Sequence, residues 1–371
     1  MKFRYCGLLA CLLMQLASNV KAADPLFVVD GITAIAIATA VDGEVIIVLG
    51  CSDGKIKMRK RDGSNLATFK HHGDSIWSIA AVATKDEETF FITGSEDKTA
   101  KIWREDGSRC ATVHHDHPVW SVAAVTTKDS KTFFVSGSSK DRTAKVWKKG
   151  ELYSVTLQHN GWVNLVSAVV TKDGRVLFAS ASEDKTAKIW NEEGSLVAEL
   201  GHDGAVNSVA IGEAADGKVF FITGSNGFTD TAKIWKEDGS WIATLPHDDG
   251  VTSVALMGTA EGDLLFITGS RDETAKIWKE DGSLVATLEH GDIVECVTAI
   301  KAADGEIYFI TGSRDKTLRI WKKDGSSVAT MWHDEGVETV IAVATAEDNI
   351  LIATTSFDDK AYVWSLKLVL K

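Results

Sequence analysis

The chain has 371 residues, of which 44% are hydrophobic and 25% are charged, and its formal net charge at pH 7 is −12. These proportions are typical of a soluble globular protein. An acidic chain without a basic stripe interleaved with aromatic residues argues against nucleic acid as a partner. Proline occurs only three times, so no proline-rich linker divides the chain.

The first 22 residues differ in composition from the rest of the chain. Lys2 and Arg4 precede an apolar run over residues 5–17, and small residues end the segment at Ala22. This order is typical of a secretory signal peptide, and the run is too short to span a bilayer. We therefore predict a signal peptide over residues 1–22 and a secreted or periplasmic protein without a membrane span. Cleavage removes three cations and no acid, which changes the net charge from −12 to −15.

The cysteines favour neither a lipid anchor nor a disulfide framework. The segment 8–11, which ends at Cys11, resembles a lipoprotein signal box, but the apolar run continues beyond that cysteine, so a lipid anchor is the less favoured alternative. After cleavage, Cys51, Cys110 and Cys296 remain, at different places in the repeats described below. An odd number at irregular spacing predicts no disulfide pairing and no zinc site.

The rest of the chain is an internal repeat. The segment Thr-Gly-Ser-Glu-Asp-Lys-Thr-Ala-Lys-Ile-Trp at residues 93–103 recurs six more times in varied form, and its closing tryptophans are 43 to 45 residues apart. A fainter copy ends at Arg59, so the repeats number eight. A fixed period of this length indicates that each unit is a small sheet that must stack on its copies.

One repeat, residues 72–115, contains four apolar runs separated by turn residues. The runs cover residues 76–84, 90–93, 99–103 and 109–114. They predict four short strands in an antiparallel meander, with an Asp-Gly hairpin before the fourth.

In the third strand of each repeat, lysines alternate with apolar residues, as at Lys101, Lys145 and Lys188. We expect their stems to lie along apolar surface and their ammonium groups to be in water.

Eight such sheets in a ring form an all-β, eight-bladed propeller. The last repeat lacks a complete fourth strand, and the apolar run at residues 26–29 has no partner within its own repeat. We predict that this N-terminal strand closes the last blade. Residues 23–371 are then a single propeller domain of eight repeats.

Four residue types recur at fixed places in seven of the repeats. The histidines are His72, His115, His159, His202, His247, His290 and His333. The hydroxyl residues are Thr93, Ser136, Ser180, Thr223, Thr268, Thr311 and Thr354. The turn aspartates are Asp97, Asp141, Asp184, Asp230, Asp272, Asp315 and Asp358. The tryptophans are Trp103, Trp147, Trp190, Trp235, Trp278, Trp321 and Trp364.

This pattern resembles the WD-repeat β-propeller family over residues 25–371. The resemblance implies a structural tetrad in which the indole N–H bonds to the hydroxyl, the hydroxyl to histidine and histidine to aspartate. The residue after each tryptophan is never aspartate, and Asp230 follows an insertion. The first repeat has Val28, Leu49 and Arg59 in place of histidine, hydroxyl and tryptophan, so we expect its blade to lack the network and to be the weakest.

Serine, histidine and aspartate together could also form a hydrolytic triad. Here the set recurs seven times with a tryptophan that engages the hydroxyl, whereas a catalytic set occurs once. The run His114-His115-Asp116-His117 resembles a metal tract, but adjacent strand residues point to opposite faces. The Asp-Gly turns lack the spacing of a calcium loop, and no glycine-rich phosphate loop occurs. We predict no enzyme activity, no metal and no cofactor.

Two positions vary among the otherwise matched repeats. Five residues after each histidine stand Trp77, Trp120, Asn164, Asn207, Thr252, Glu295 and Glu338. Before the turn aspartates stand Glu96, Lys140, Glu183, Arg271, Arg314 and Phe357. The family resemblance implies that these positions crowd one rim, called the top face below, where partners bind.

Trp77 and Trp120, with Trp162 nearby, predict an aromatic patch, and Glu295, Glu338, Arg271 and Arg314 predict a mixed-charge patch on the opposite arc. We interpret the protein as an exported, non-enzymatic scaffold that binds a protein or peptide through these residues together with Asn164, Asn207 and Lys140. A carbohydrate-binding propeller with a polysaccharide partner is the alternative. A third reading leaves the tryptophans as core between blades.

Overall fold

The protein is described by a computed structural model that covers residues 24–39, 44–84, 88–151, 155–227, 231–302, 305–345 and 349–367. Within these ranges all regular structure is β-strand, arranged as eight four-stranded antiparallel sheets. This confirms the predicted eight-bladed propeller. The described residues contain no helix of the length and hydrophobicity that a membrane crossing requires.

Each blade is one sheet whose strands follow one another along the chain, apart from the last. Strand β1 is Phe27–Asp30, and blade 1 consists of β2 (Ile32–Thr39), β3 (Val45–Cys51), β4 (Lys55–Lys60) and β5 (Asn65–Lys70). Blade 2 consists of β6 (Ile76–Ala83), β7 (Thr89–Ser95), β8 (Thr99–Arg104) and β9 (Arg109–His114). Blade 3 consists of β10 (Val119–Thr126), β11 (Thr132–Ser138), β12 (Thr143–Lys148) and β13 (Val155–Gln158), and blade 4 of β14 (Val163–Val170), β15 (Val176–Ser182), β16 (Thr186–Asn191) and β17 (Leu196–Gly201). Blade 5 consists of β18 (Ala205–Glu213), β19 (Val219–Asn226), β20 (Thr231–Lys236) and β21 (Trp241–Pro246), and blade 6 of β22 (Val251–Gly258), β23 (Leu264–Ser270), β24 (Thr274–Lys279) and β25 (Leu284–Glu289). Blade 7 consists of β26 (Val294–Lys301), β27 (Ile307–Ser313), β28 (Thr317–Lys322) and β29 (Ser327–Trp332). Blade 8 consists of β30 (Val337–Ala344), β31 (Asn349–Ser356) and β32 (Lys360–Lys367), together with β1.

The N-terminal strand closes the ring, as predicted. Strand β1 pairs antiparallel with β32, with Phe27 opposite Val363 and Asp30 opposite Lys360. Ile32 and Leu49 of blade 1 share one buried cluster with Val363 of blade 8. Because the two ends of the chain meet in one sheet, opening the ring would break backbone hydrogen bonds as well as apolar contacts.

The core lies between the blades, in eight clusters, one at each blade interface. At the interface of blades 2 and 3, for example, Phe90 and Ile92 pack with Val122 and Phe134. Second strands such as β7 are buried at every position, because a neighbouring blade covers each face of the sheet. This explains why they read as near-continuous apolar runs rather than as alternating strands.

Blade 1 replaces the polar network by apolar packing. Leu49, at the hydroxyl position, is fully buried in the cluster shared with blade 8. Arg59 lies opposite Ile47, in the register that Trp103 occupies opposite Phe91. Val28 does not stand at a histidine position, as the sequence had suggested, but lies within β1. Only Gly31 separates β1 from β2, so blade 1 has no loop for a histidine equivalent.

Candidate functional site

The meander places two kinds of connection on each face of the ring. Connections between second and third strands, and between the fourth strand of one blade and the first of the next, lie on the top face. Connections between first and second strands, and between third and fourth strands, lie on the bottom face. First strands are innermost, so their upper ends surround the mouth of the central channel.

Among the described residues the polar tetrad is complete in four blades, and blade 2 shows its geometry. His72 Nδ1 lies 2.9 Å from Asp97 Oδ2, and His72 Nε2 lies 2.8 Å from Thr93 Oγ1. Trp103 Nε1 donates to the same hydroxyl at 3.1 Å. The corresponding bonds occur in the networks of His159, His247 and His290.

The tetrad requires a neutral histidine. Because a carboxylate only accepts, His72 Nδ1 donates to Asp97, and Nε2 accepts from the Thr93 hydroxyl. Burial lowers the pKa of His72 to about 4, which favours this neutral form. In blade 4, burial opposes ionisation of Asp184, but hydrogen bonds from Thr186, the Asn160 amide and His159 prevail and lower its pKa to about 2.

Blades 3 and 8 depart from the complete tetrad, and the tetrad of blade 5 is described only in part. In blade 3, His115 bonds to Asp141 and Ser136, but the buried Trp147 Nε1 has no partner in the described residues. In blade 5, His202 Nδ1 lies 3.1 Å from Ser225 Oγ, while Asp230 lies outside the described residues.

Blade 8 departs furthest. His333 Nε2 lies 2.8 Å from Thr354 Oγ1, but His333 Nδ1 and Trp364 Nε1 are buried without partners among the described residues. Asp358 accepts instead from the Tyr362 hydroxyl, at 3.0 Å. The reason is that Tyr362 occupies the third-strand position that holds lysine in most other blades.

The third-strand lysine makes a contact that the sequence did not predict. We expected its ammonium group in water, but Lys101 Nζ donates to the His71 carbonyl at 2.7 Å. The same bond to the carbonyl before the histidine recurs in five other blades, where the donors are Lys145, Lys188, Lys233, Lys276 and Arg319. In blade 1, which has no such histidine, Lys57 donates to the Asp30 carbonyl at the end of β1. The signal was present, since a cation stands two residues before most of the repeated tryptophans, but a carbonyl acceptor leaves no trace in a sequence pattern.

A β-bulge in each first strand presents the variable top-face positions. Pairing of the first and second strands skips one residue in every blade, and a bulge of this kind re-aims a side chain out of the ladder. The skipped residues are Thr33, Trp77, Trp120, Asn164, Asn207, Thr252, Glu295 and Glu338. Seven of these eight are the positions singled out from the sequence, at the channel mouth.

The three predicted tryptophans are 39–42% exposed, so they are not core between blades. Trp120 and Trp162 contact each other edge to face, with ring centroids 6.1 Å apart. Lys140 Nζ lies 5.5 Å from the centre of the Trp162 ring. Trp77, in the adjacent blade, has its indole N–H bonded to Glu96 at 2.8 Å. Trp120 and Trp162 therefore form one aromatic patch, and Trp77 is exposed separately in the adjacent blade.

The opposite arc carries charge. Arg314 forms an ion pair with Glu295, and its guanidinium lies 5.4 Å from the centre of the exposed Phe357 ring. Desolvation by the walls of the mouth, together with the negative charges of Glu295 and Asp359, raises the pKa of Glu338. Arg271 is exposed at the corresponding turn of blade 6.

Polar bulge residues also join neighbouring blades. Asn164 Nδ2 donates to the Val206 carbonyl at 3.0 Å, and Thr252 Oγ1 donates to the Val294 carbonyl at 2.5 Å. Asn207, in blade 5, is half-buried. Of the eight bulge residues, Trp77, Trp120 and Glu338 are exposed, and the other five are half-buried.

The tetrads are not arranged as nucleophilic sites. All seven hydroxyl residues are 0% exposed, so a substrate at the surface does not reach them. Across the described ranges, no three His, Cys, Asp or Glu side chains come together as a metal site. The described cysteines are free thiols, two buried and one, Cys110, exposed.

Comparison with known families agrees with this geometry. A family model described as WD domain, G-beta repeat, matches residues 63–104, 107–148, 150–191, 238–279 and 282–322, which is more than half of the chain. The chain belongs to the WD-repeat family. The unmatched parts include the network-free blade 1, the insertion in blade 5 and the divergent blade 8.

Two solved structures share the fold of this WD-repeat propeller. Sqt1 of Saccharomyces cerevisiae has 12% sequence identity, covers 94% of this chain and 100% of its own, and has a TM-score of 0.77. The computationally designed Ika8 protein has 22% identity, covers 91% of this chain and 96% of its own, and has a TM-score of 0.71. The comparison with curated proteins gives no match. WD-repeat propellers are generally non-enzymatic scaffolds that bind protein partners.

Proposed function

We propose that this WD-repeat propeller is an exported, non-enzymatic scaffold that binds a protein or peptide on its top face. The observation that carries the proposal is the exposed aromatic patch of Trp120 and Trp162 at the channel mouth. Aromatic side chains with partial exposure and little conformational freedom are the residues that most often dominate binding energy at interfaces.

The support comes from how the patch is held. Trp120 stands on a bulge in a rigid inner strand, and its edge-to-face contact with Trp162 limits the rotation of both rings. Lys140 beside Trp162 adds a donor that can pair with a carboxylate or a carbonyl of a partner. A preorganised surface of this kind loses little side-chain entropy when a partner binds.

The test is selection of peptides from a random phage-displayed library on the immobilised protein, followed by affinity measurement with labelled peptides. Replacing Trp120 or Trp162 by alanine should weaken the selected peptides by about tenfold or more, as expected for a hot-spot residue. Trp241→Ala is the matched control, because Trp241 is 60% exposed but begins the fourth strand of blade 5, on the bottom face. Equal binding by all three folded variants would refute the proposal.

The alternative is a carbohydrate ligand, since exposed indole rings also stack on sugars. Its distinguishing result is binding on a glycan array that Trp120→Ala abolishes, with no peptide selected from the library. Export is tested separately by N-terminal sequencing of the protein from a cell fraction, which should begin at Ala23. A first residue upstream of Ala23 would contradict cleavage at this site.

A further inference from the structure

A second surface lies on the bottom face, between blades 6 and 7. It is a groove of about 500 Å³, within the range of volumes typical of ligand sites. Leu264, Leu265 and Val285 of blade 6 form its apolar part, and Lys323 and Asp324 in a turn of blade 7 form one wall. Next to Val285, Leu284 is 51% exposed, so the apolar surface continues beyond the groove.

The groove has a surplus of negative charge. Two lysines and five carboxylates line it, namely Lys279, Lys323, Glu261, Asp263, Glu280, Asp281 and Asp324. No ion pair within 4 Å joins any of these groups to another described residue. Glu280 accepts from the Leu264 amide at 2.7 Å, and Asp281 and Asp324 accept from amides of their own turns. Glu261 and Asp263 are exposed. Hydrogen bonds from its own backbone and from Thr259 lower the pKa of Glu261, and the nearby charges of Lys323 and Lys301 lower it further.

The equivalent groove between blades 3 and 4 has a smaller surplus of negative charge, since two lysines and three glutamates line it. It measures about 260 Å³ and has Phe133 and Val155 in place of the leucine floor. Its Lys131 and Lys148 pair with Asp129 and Glu151, each at 2.9 Å. Lys131 directly precedes the second strand of blade 3, which is the place of Asp263 in blade 6.

Between blades 2 and 3 the chain covers the same kind of floor with its own cation. Lys149 Nζ lies 4.3 Å from the centre of the Phe90 ring and pairs with Glu88 at 2.6 Å. In these two places the protein itself supplies the positive charge over an apolar floor. Between blades 6 and 7, Lys323 stands at the place of Lys149, two residues after the repeated tryptophan, but it forms no ion pair within 4 Å with a described residue. Five carboxylates accompany two lysines around this floor.

We propose that the groove between blades 6 and 7 binds a short peptide segment of a partner in which basic and aliphatic residues are adjacent. A lysine or arginine of the segment pairs with Glu261 or Asp263, and the neighbouring aliphatic side chain contacts Leu265 and Val285. Charge complementarity favours a segment with positive charge, and the apolar floor selects against peptides that carry basic residues alone. With a partner on each face, the scaffold would bridge two proteins.

The probe is a fluorescein-labelled, capped pentapeptide of alternating lysine and leucine, measured by fluorescence anisotropy. We expect saturable binding that Asp263→Lys weakens by about tenfold or more, because the substitution replaces an attraction by a repulsion. Glu193→Lys is the matched control, since it makes the same charge change in the groove between blades 3 and 4. Neither this control nor Trp120→Ala should change the affinity.

Three results would overturn the proposal. The first is absence of binding at peptide concentrations up to about 1 mM, where even weak complexes form. The second is an equal loss with Glu193→Lys, which would indicate attraction to the acidic protein as a whole. The third is equal binding of a peptide with glycine in place of leucine. None of these results bears on the top face, so the proposed function is tested independently.

Discussion

Replacing Ser180 by alanine tests whether the buried tetrad stabilises its blade. Ser180 Oγ accepts from Trp190 Nε1 at 2.9 Å and lies 2.7 Å from His159 Nε2, and the residue is fully buried. The substitution leaves both nitrogens without a partner. Since a buried unpaired polar group costs about 1–3 kcal/mol, the free energy of unfolding should fall by about 2–6 kcal/mol.

The chain contains its own control for this experiment. In blade 3, Ser136 bonds to His115, but Trp147 Nε1 already lacks a partner among the described residues. Ser136→Ala therefore removes one bond and should cost about 1–3 kcal/mol, less than Ser180→Ala. Guanidinium and thermal denaturation of both variants measure the difference. Equal losses would refute the reasoning, because the tryptophan bond would then contribute nothing.

Three further predictions concern closure, pH and packing. Deleting residues 23–30 removes the strand that completes blade 8 and should lower the melting temperature sharply; an unchanged melting curve would contradict closure by β1. Burial lowers the pKa of His72 from 6.5 to about 4 and that of His202 to about 3, so the unfolded chain binds more protons below pH 6.5. The free energy of unfolding should therefore decrease as the pH falls from about 6.5 towards 4, and denaturation that is independent of pH across this range would exclude the effect. A Cβ on Gly94 would lie 2.7 Å from Val119 Cγ1, so Gly94→Ala should destabilise the protein by about 1–3 kcal/mol in the same assay, and no loss would show that the interface can expand.

The fold was predictable from the sequence because its information is local and repeated. The spacing of the tryptophans from Trp103 to Trp364 counts seven blades, and the weaker copy ending at Arg59 supplies the eighth. Within a repeat, apolar runs and turn residues place strands such as β6 to β9 close to their observed limits. The unpartnered run at residues 26–29 identified the closing strand, because a four-stranded blade was incomplete without it.

The candidate site was predictable as a set of positions but not as a surface. Trp120 and Asn164 stand at the same point of their repeats in the sequence. In the structure, the Trp120 indole is exposed, whereas the Asn164 side-chain amide donates to the next blade. Contacts between blades and acceptors such as the His71 carbonyl join residues 30 or more apart in sequence, and no periodic pattern records them.

The sequence by itself determined the number of blades, the order of their strands and the residue types at the channel mouth, since each follows from a pattern within one repeat. Only the tertiary structure decided which tetrads close, which tryptophans remain in solvent and how charges are distributed among the grooves of the bottom face. The physical reason is that nearly identical repeats meet different neighbours, and a hydrogen bond or an ion pair depends on both partners at once.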